Sequence, residues 1–87
     1  MTFILYHTLG CHLCELAETV IAKANLTLHE HSLISVEKVD IAENLDLTEK
    51  YGVKIPVLSS ASGQELNWPF DADDVINLVS VSEKNRD

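Results

Sequence analysis

The sequence predicts one α/β domain in which a mixed, four-stranded sheet carries three helices in the order β-α-β-α-β-β-α. In the first part of the chain, short apolar segments alternate with segments whose apolar residues recur at helical spacing. The later part has two short strand-like segments joined by a turn, followed by one amphipathic segment. A strand-helix-strand unit pairs its strands in parallel through a right-handed crossover, whereas a hairpin pairs them antiparallel. The two parts together predict a mixed sheet with helices on both faces.

The first strand and the first helix are separated by a sharp turn. Residues 2–7 form the predicted strand, and Gly10 lets the backbone turn before the helix begins. The helix presents one apolar face to the sheet, formed by Leu13, Leu16, Ala17, Val20, Ile21 and Ala24. Residues 27–32 have no clear period, so either a continued helix or a loop fits them.

The middle of the chain predicts a second strand, a short helix and a strand that contains proline. Residues 35–39 form the strand, and residues 44–51 form the helix, which ends near Gly52. Residues 53–58 form the third strand. Pro56 has no N–H to donate, so it must lie at the start of that strand or on an unpaired side.

The last part of the chain predicts a hairpin strand and a covering helix. Residues 64–68 form the fourth strand, and the final helix begins at Asp71, whose spacing to Asp74 is typical of a capping box. We assign residues 1–80 to the domain and expect residues 81–87 to form a polar tail that frays.

The pair Cys11 and Cys14 lies where the first strand gives way to the first helix. The unpaired N–H groups of a first helical turn and the positive end of the helix dipole favour a thiolate over a thiol. Cys11 stands at the exposed helix start and Cys14 one turn deeper. This arrangement predicts thiol-disulfide exchange, with Cys11 as the attacking sulfur and Cys14 as the resolving one.

The alternatives to redox chemistry are a pair of buried structural thiols and a metal site. A zinc site needs about four ligands, and the additional candidates in the sequence are His7, His12, His29 and His31. His29 and His31 lack the usual ligand spacing and follow the first helix, far from its start. His7 is interpreted as a strand-end residue in preference to a proton carrier.

Charge and length exclude several classes of partner. The 87 residues suffice for one domain. Fourteen acidic against six basic residues leave a formal net charge of −8, which argues against binding to nucleic acid or to anionic membranes. Lys50 and Lys54 are the only basic residues expected near the cysteines. The sequence has no secretory leader pattern, no apolar run long enough for a membrane span and only two cysteines, so the expected location is cytoplasmic.

At this point the sequence resembles the thioredoxin superfamily, and more narrowly the small glutaredoxin-like proteins. Cys11-His12-Leu13-Cys14 after the first strand looks like that family's active site, and residues 39–58 are similar to the run through the second helix into the proline-bearing strand. The resemblance implies a thioredoxin-like fold and an oxidoreductase that needs no cofactor beyond its own dithiol. It also implies that Pro56 follows a cis peptide bond, faces the cysteines and, with the backbone of Ile55, positions an extended substrate.

The resemblance further implies the partners. These are a protein disulfide or a glutathione mixed disulfide as substrate, and a thiol reductant or reductase as electron donor, for a chain expected to be a monomer. Family members that hold glutathione have a Gly-Gly before an acidic pair at the last helix, where this chain has Phe70-Asp71 before Ala72. Asp73 remains the candidate acceptor for the glutathione amino group, and glutathione the candidate co-substrate. A thioredoxin-fold binding module without turnover and a metal or iron-sulfur carrier using Cys11 are the alternative functions.

Overall fold

The computed structural model describes residues 2–28 and 33–84, with side chains placed up to residue 82. Within these residues the predicted order of strands and helices is confirmed. The strands are β1 (Thr2–His7), β2 (Ser35–Asp40), β3 (Val57–Ser59) and β4 (Glu65–Asn67). The helices are α1 (His12–Thr27), α2 (Leu45–Tyr51) and α3 (Ala72–Lys84), with a short 3-10 turn at Ile41–Glu43 before α2.

The four strands form one sheet in the order β2-β1-β3-β4. β1 and β2 are parallel, with Tyr6 opposite Val39, whereas β1 and β3 are antiparallel, with Tyr6 opposite Val57. β3 and β4 form the predicted antiparallel hairpin. The predicted mixed sheet is therefore confirmed.

The core lies on both faces of the sheet, because alternate strand residues point to opposite sides. Phe3 and Leu5 of β1 belong to the larger cluster, which also includes buried residues of α1 and α3. Tyr6 of β1 packs on the other face, against a smaller cluster that includes Tyr51 at the end of α2. The rings of Tyr6 and Tyr51 stack with centroids 4.2 Å apart.

The predicted apolar face of α1 was partly wrong. Leu13 and Leu16 are 45% and 41% exposed, whereas Ala17 and Ala24 are fully buried. Small residues let the helix approach the sheet closely. The face of α1 that contacts the sheet is therefore narrower than the face that all of its apolar residues would form together.

Two boundaries also differ from the prediction. β3 begins at Val57 because residues 53–55 still belong to the turn after α2, where the N–H groups of Lys54 and Ile55 both donate to the Tyr51 carbonyl. α3 continues to Lys84, beyond the predicted end at residue 80. Part of the predicted polar tail is thus helical, and residues 85–87 lie outside the described part of the chain.

Among the described residues, no helix is both long and apolar enough to cross a membrane.

Candidate active site

The cysteine pair lies at the edge of the sheet where several elements meet. β1 and β2 both end at this edge, and β3, which is antiparallel to β1, begins there. β4 ends at the same edge because its Asn67 is paired with Val57 at the start of β3. The starts of α1 and α3 therefore both lie at this edge, since each helix follows a strand that ends there.

Cys11 is the N-cap residue of α1. Gly10 has a φ of 77°, a left-handed conformation that L side chains rarely adopt, and this turn directs the chain from β1 into the helix. The backbone of Cys11 is extended, and its N–H donates to the Thr8 carbonyl at 3.4 Å. The sequence thus places a sulfur where a helix start usually has a Ser, Thr, Asp or Asn oxygen.

Cys11 and Cys14 are joined in a disulfide, with their Cα atoms 5.3 Å apart. Cys11 is partly exposed, whereas Cys14 is only 3% exposed. The backbone N–H of Cys14 donates to the Cys11 Sγ at 3.1 Å. A donor directed at this sulfur, together with the helix dipole, favours the thiolate of Cys11 once the disulfide is reduced.

A shallow depression of about 130 Å³ opens beside both sulfurs. Its walls come from the turn after β1, from the first turns of α1 and from β2. Besides the cysteines, the charged or titratable residues that line it are His7, Glu15, Glu18 and Lys38. The Lys38 Nζ lies 3.3 Å from the Glu18 carboxylate, and the His12 ring lies 3.6 Å from Glu15. A substrate that enters this depression meets paired charges rather than a basic pocket.

Pro56 lies at the same edge of the sheet. The Ile55–Pro56 peptide bond is cis, and Pro56 is buried at the residue before β3. Because Val57 pairs with Tyr6, the register continues to place Pro56 opposite the end of β1, the strand that leads to Cys11. The Ile55 N–H donates to the Tyr51 carbonyl at 3.2 Å. The N–H of Ile55 therefore already has a backbone partner within the turn after α2.

The start of α3 contributes acidic side chains to this edge. Asp71 and Asp74 form a reciprocal capping box, in which each backbone N–H donates to the other carboxylate, at 3.0 and 2.8 Å. Asp73 takes no part in the box and is exposed. Phe70 is buried and packs edge-on against Trp68, so it does not project into the space above the helix start.

In the part of the chain that the structure describes, no three His, Cys, Asp or Glu side chains lie close enough together to hold a metal ion. His7 and His12 belong to separate sides of the turn that contains Cys11: His7 ends β1, and His12 begins α1. The other two candidate ligands, His29 and His31, lie outside the described residues.

A family model described as "Glutaredoxin-like domain (DUF836)" matches residues 2–80 of the sequence. The chain belongs to this glutaredoxin-like family. The match extends over both cysteines, Pro56 and the start of α3.

Solved structures agree with this assignment. The glutaredoxin-like domain is 32% identical to the structural genomics target XcR50 from X. campestris, with a TM-score of 0.77 over 91% of this chain and 96% of that one. Protein Ne2328 from Nitrosomonas europaea is 26% identical, with a TM-score of 0.73 over 88% of each chain.

The first two thioredoxin domains of Eps1p from Naumovozyma dairenensis are more distant. They match 90% of this chain with a TM-score of 0.54 at 20% identity, and the match spans 33% of their own length. The predicted thioredoxin-like fold is thereby confirmed. A search of curated proteins gave no significant match.

Sequence reasoning missed Lys38 of the glutaredoxin-like domain, which lines the depression beside the cysteines. Only Lys50 and Lys54 were expected near them. The signal lies in the strand register: the parallel pairing of β1 with β2 sets Leu5 opposite Lys38, so both side chains point to the α1 face.

Proposed function

We propose that this glutaredoxin-like domain is a thiol-disulfide oxidoreductase that exchanges two electrons through Cys11 and Cys14. The observation that supports the proposal is the unequal exposure of two bonded sulfurs at one helix start, the outer one partly exposed and the inner one buried. A structural disulfide between residues three apart closes only a very short loop and stabilises little, whereas this placement activates the outer sulfur.

The reaction begins from the reduced pair. The Cys11 thiolate attacks one sulfur of a substrate disulfide, which breaks the substrate S–S bond, forms a mixed disulfide and releases the first substrate thiol. The Cys14 thiolate then attacks the Cys11 Sγ and releases the second substrate thiol. The substrate gains two electrons and two protons, and the domain retains the Cys11–Cys14 disulfide until a thiol reductant or reductase restores the dithiol.

The proposed substrate contacts are Pro56 and the carbonyl of Ile55. An extended substrate segment would lie along Pro56 and donate a hydrogen bond to the Ile55 carbonyl. The Ile55 N–H already donates to the Tyr51 carbonyl. A substrate would therefore form one hydrogen bond with Ile55, from a substrate N–H to the Ile55 carbonyl, instead of the two bonds of a strand pairing. The exposed carboxylate of Asp73 is the group proposed to accept the amino group of glutathione.

The proposed setting is the cytoplasm, with the domain acting as a monomer. A reducing compartment supplies the thiols that regenerate the dithiol. The chain's two cysteines are both in the proposed site, so no other cysteine competes for exchange.

A pair of cysteine variants tests the proposal. The reduced Cys14→Ser variant is expected to accumulate a stable mixed disulfide with a model disulfide such as 2-hydroxyethyl disulfide, visible as a mass increase at Cys11. The matched Cys11→Ser variant should form none at neutral pH, because Cys14 is buried. Equal trapping by both variants, or trapping by neither, would overturn the proposal.

A further inference from the structure

The resolving step of this reaction poses a problem of proton transfer. Cys14 is only 3% exposed, and burial disfavours its charged thiolate. The N–H donor and the helix start both favour the thiolate of Cys11, not of Cys14. A group close to Cys14 is needed to take its proton before it attacks Cys11.

The depression beside the sulfurs limits the candidates for this group. Glu18 is paired with Lys38, and Glu15 lies against His12. His7 lines the same depression and is half-buried, and its imidazole forms no hydrogen bond or ion pair with the described residues.

The direction of His7 follows from its place in β1. Phe3 and Leu5 face the cluster beneath α1, and His7, two residues further along the strand, points to the same side. Cys14 is one of the buried residues on the inner side of α1. The imidazole and the buried sulfur therefore face each other from the strand and the helix.

In place of the sequence-based interpretation of His7 as a strand-end residue only, we propose that His7 carries the proton of Cys14 during resolution, an inference that rests on the proposed redox function. The neutral imidazole takes the proton of the Cys14 thiol as the thiolate attacks the Cys11 Sγ. The S–S bond to the substrate breaks, the pair of electrons leaves with the substrate sulfur, and the imidazolium returns the proton to that sulfur or to water. Imidazole suits this role because it gains and loses a proton near neutral pH.

The charges around His7 set the conditions of this transfer. α1 contributes Glu15 and Glu18 along with the two cysteines, and β2 contributes Lys38 and Asp40, the residue opposite His7 in the register. Pro56, on the β3 side, carries no titratable group. The Asp40 carboxylate accepts the Ala42 N–H at 2.9 Å, so it is held at the end of β2.

The experiment separates attack from resolution by mixing the reduced protein with excess Ellman's reagent. The first equivalent of thiolate released from the reagent reports attack by Cys11. A second phase, whose rate does not depend on the concentration of the reagent, reports resolution by Cys14. We expect His7→Asn to slow the second phase about tenfold or more at pH 7 and to leave the first phase nearly unchanged. The deficit should shrink as pH rises, because Cys14 then ionises without help.

His12→Asn is the matched control, because His12 is adjacent to Cys11 and its side chain is 78% exposed. It should leave the second phase unchanged. A second phase unaffected by His7→Asn from pH 6 to 8, or slowed equally by His12→Asn, overturns the role of His7. Absence of the first phase in the wild type would instead overturn the redox function.

A measurement on the wild type alone covers the case in which His7→Asn fails to fold. The pH midpoint of the second phase should coincide with the NMR titration midpoint of the His7 ring in the reduced protein. A second-phase rate with no inflection at that midpoint, or one whose inflection follows the His12 titration, contradicts the proposal.

Discussion

The side chain of Asn25 holds the backbone of Ile34 through two hydrogen bonds. Its Nδ2 donates to the Ile34 carbonyl at 3.1 Å, and its Oδ1 accepts the Ile34 N–H at 3.0 Å. Asn25 lies near the end of α1, and Ile34 is buried just before β2. One amide therefore satisfies both backbone groups of a residue that precedes a strand and has no ladder partner of its own.

Replacement of Asn25 should destabilise the domain. We expect Asn25→Ala to lower the free energy of unfolding by about 1–3 kcal/mol, because the N–H and carbonyl of Ile34 both lose their partner. Urea unfolding of the disulfide form measures the change. Asn25→Asp is the companion variant: it keeps an acceptor for the N–H but sets a carboxylate oxygen against the Ile34 carbonyl, so its loss should be at least as large. Wild-type stability in either variant would contradict this account.

The capping box of α3 gives a second stability prediction. Asp71→Ala removes the acceptor of the Asp74 N–H and should cost about 1 kcal/mol. Asp73→Ala, in the same helical turn but outside the box, should cost less. Thermal unfolding of the two variants side by side measures the difference, and a larger loss for Asp73→Ala would show that the box contributes little.

Features of this fold that depend only on residues close together in the sequence were predictable. The box formed by Asp71 and Asp74 requires only their spacing, and the helix start at Cys11 requires only the strand, the glycine and the apolar period around it. The order of elements followed for the same reason, because each strand or helix has its own pattern.

Features that depend on long-range packing were not predictable. Lys38 reaches the cysteine depression only because β2 pairs with β1 in one particular register. The Ile55 N–H donates to Tyr51 because the chain stays tightly turned after α2, where the apolar pattern of residues 53–58 indicated a strand. Neither contact has a signal in the local sequence, since each depends on how separate elements pack.

Tyr51 should make stability fall at alkaline pH. Burial, and then the hydrogen bond from its hydroxyl to the Glu65 carboxylate, raise the pKa of Tyr51 above its ordinary value. The unfolded chain therefore releases this proton at lower pH than the folded one. The stabilisation is fully present below pH ~10 and is lost as pH rises above it.

The Tyr51→Phe variant isolates this contribution. At pH 7 we expect it to be less stable by about 0.5–1.5 kcal/mol, because it loses one hydrogen bond while the exposed Glu65 returns to water. Above pH 10 the free energy of unfolding of Tyr51→Phe should fall less steeply with pH than that of the wild type. Tyr6→Phe should reduce the effect only in part, since Tyr6 stacks on Tyr51 and its hydroxyl adds a smaller contribution to the raised pKa of Tyr51 than burial and Glu65 do. Parallel alkaline slopes in the wild type and Tyr51→Phe would exclude the predicted effect.

Charge should select among small disulfide substrates of similar reactivity. The sheet edge that carries Cys11 also carries the acidic residues Glu15, Asp40, Asp71, Asp73 and Asp74. Against them stand Lys54, in the turn before Pro56, and Lys38, which is paired with Glu18. At low ionic strength, cationic cystamine should therefore react faster than neutral 2-hydroxyethyl disulfide, and anionic glutathione disulfide more slowly, with about tenfold between the extremes. Added salt should bring the three rates together, because it screens exposed charges.

The Asp73→Asn variant distinguishes this general repulsion from a specific glutathione contact. If Asp73 acts only through its charge, its neutralisation should raise the rate with glutathione disulfide and lower the rate with cystamine. If its carboxylate accepts the glutathione amino group, the rate with glutathione disulfide should fall, because that contact is lost. Stopped-flow rates of oxidation of the reduced protein by each disulfide give the sign. A salt-independent order of the three disulfides would show that the acidic edge does not control access to Cys11.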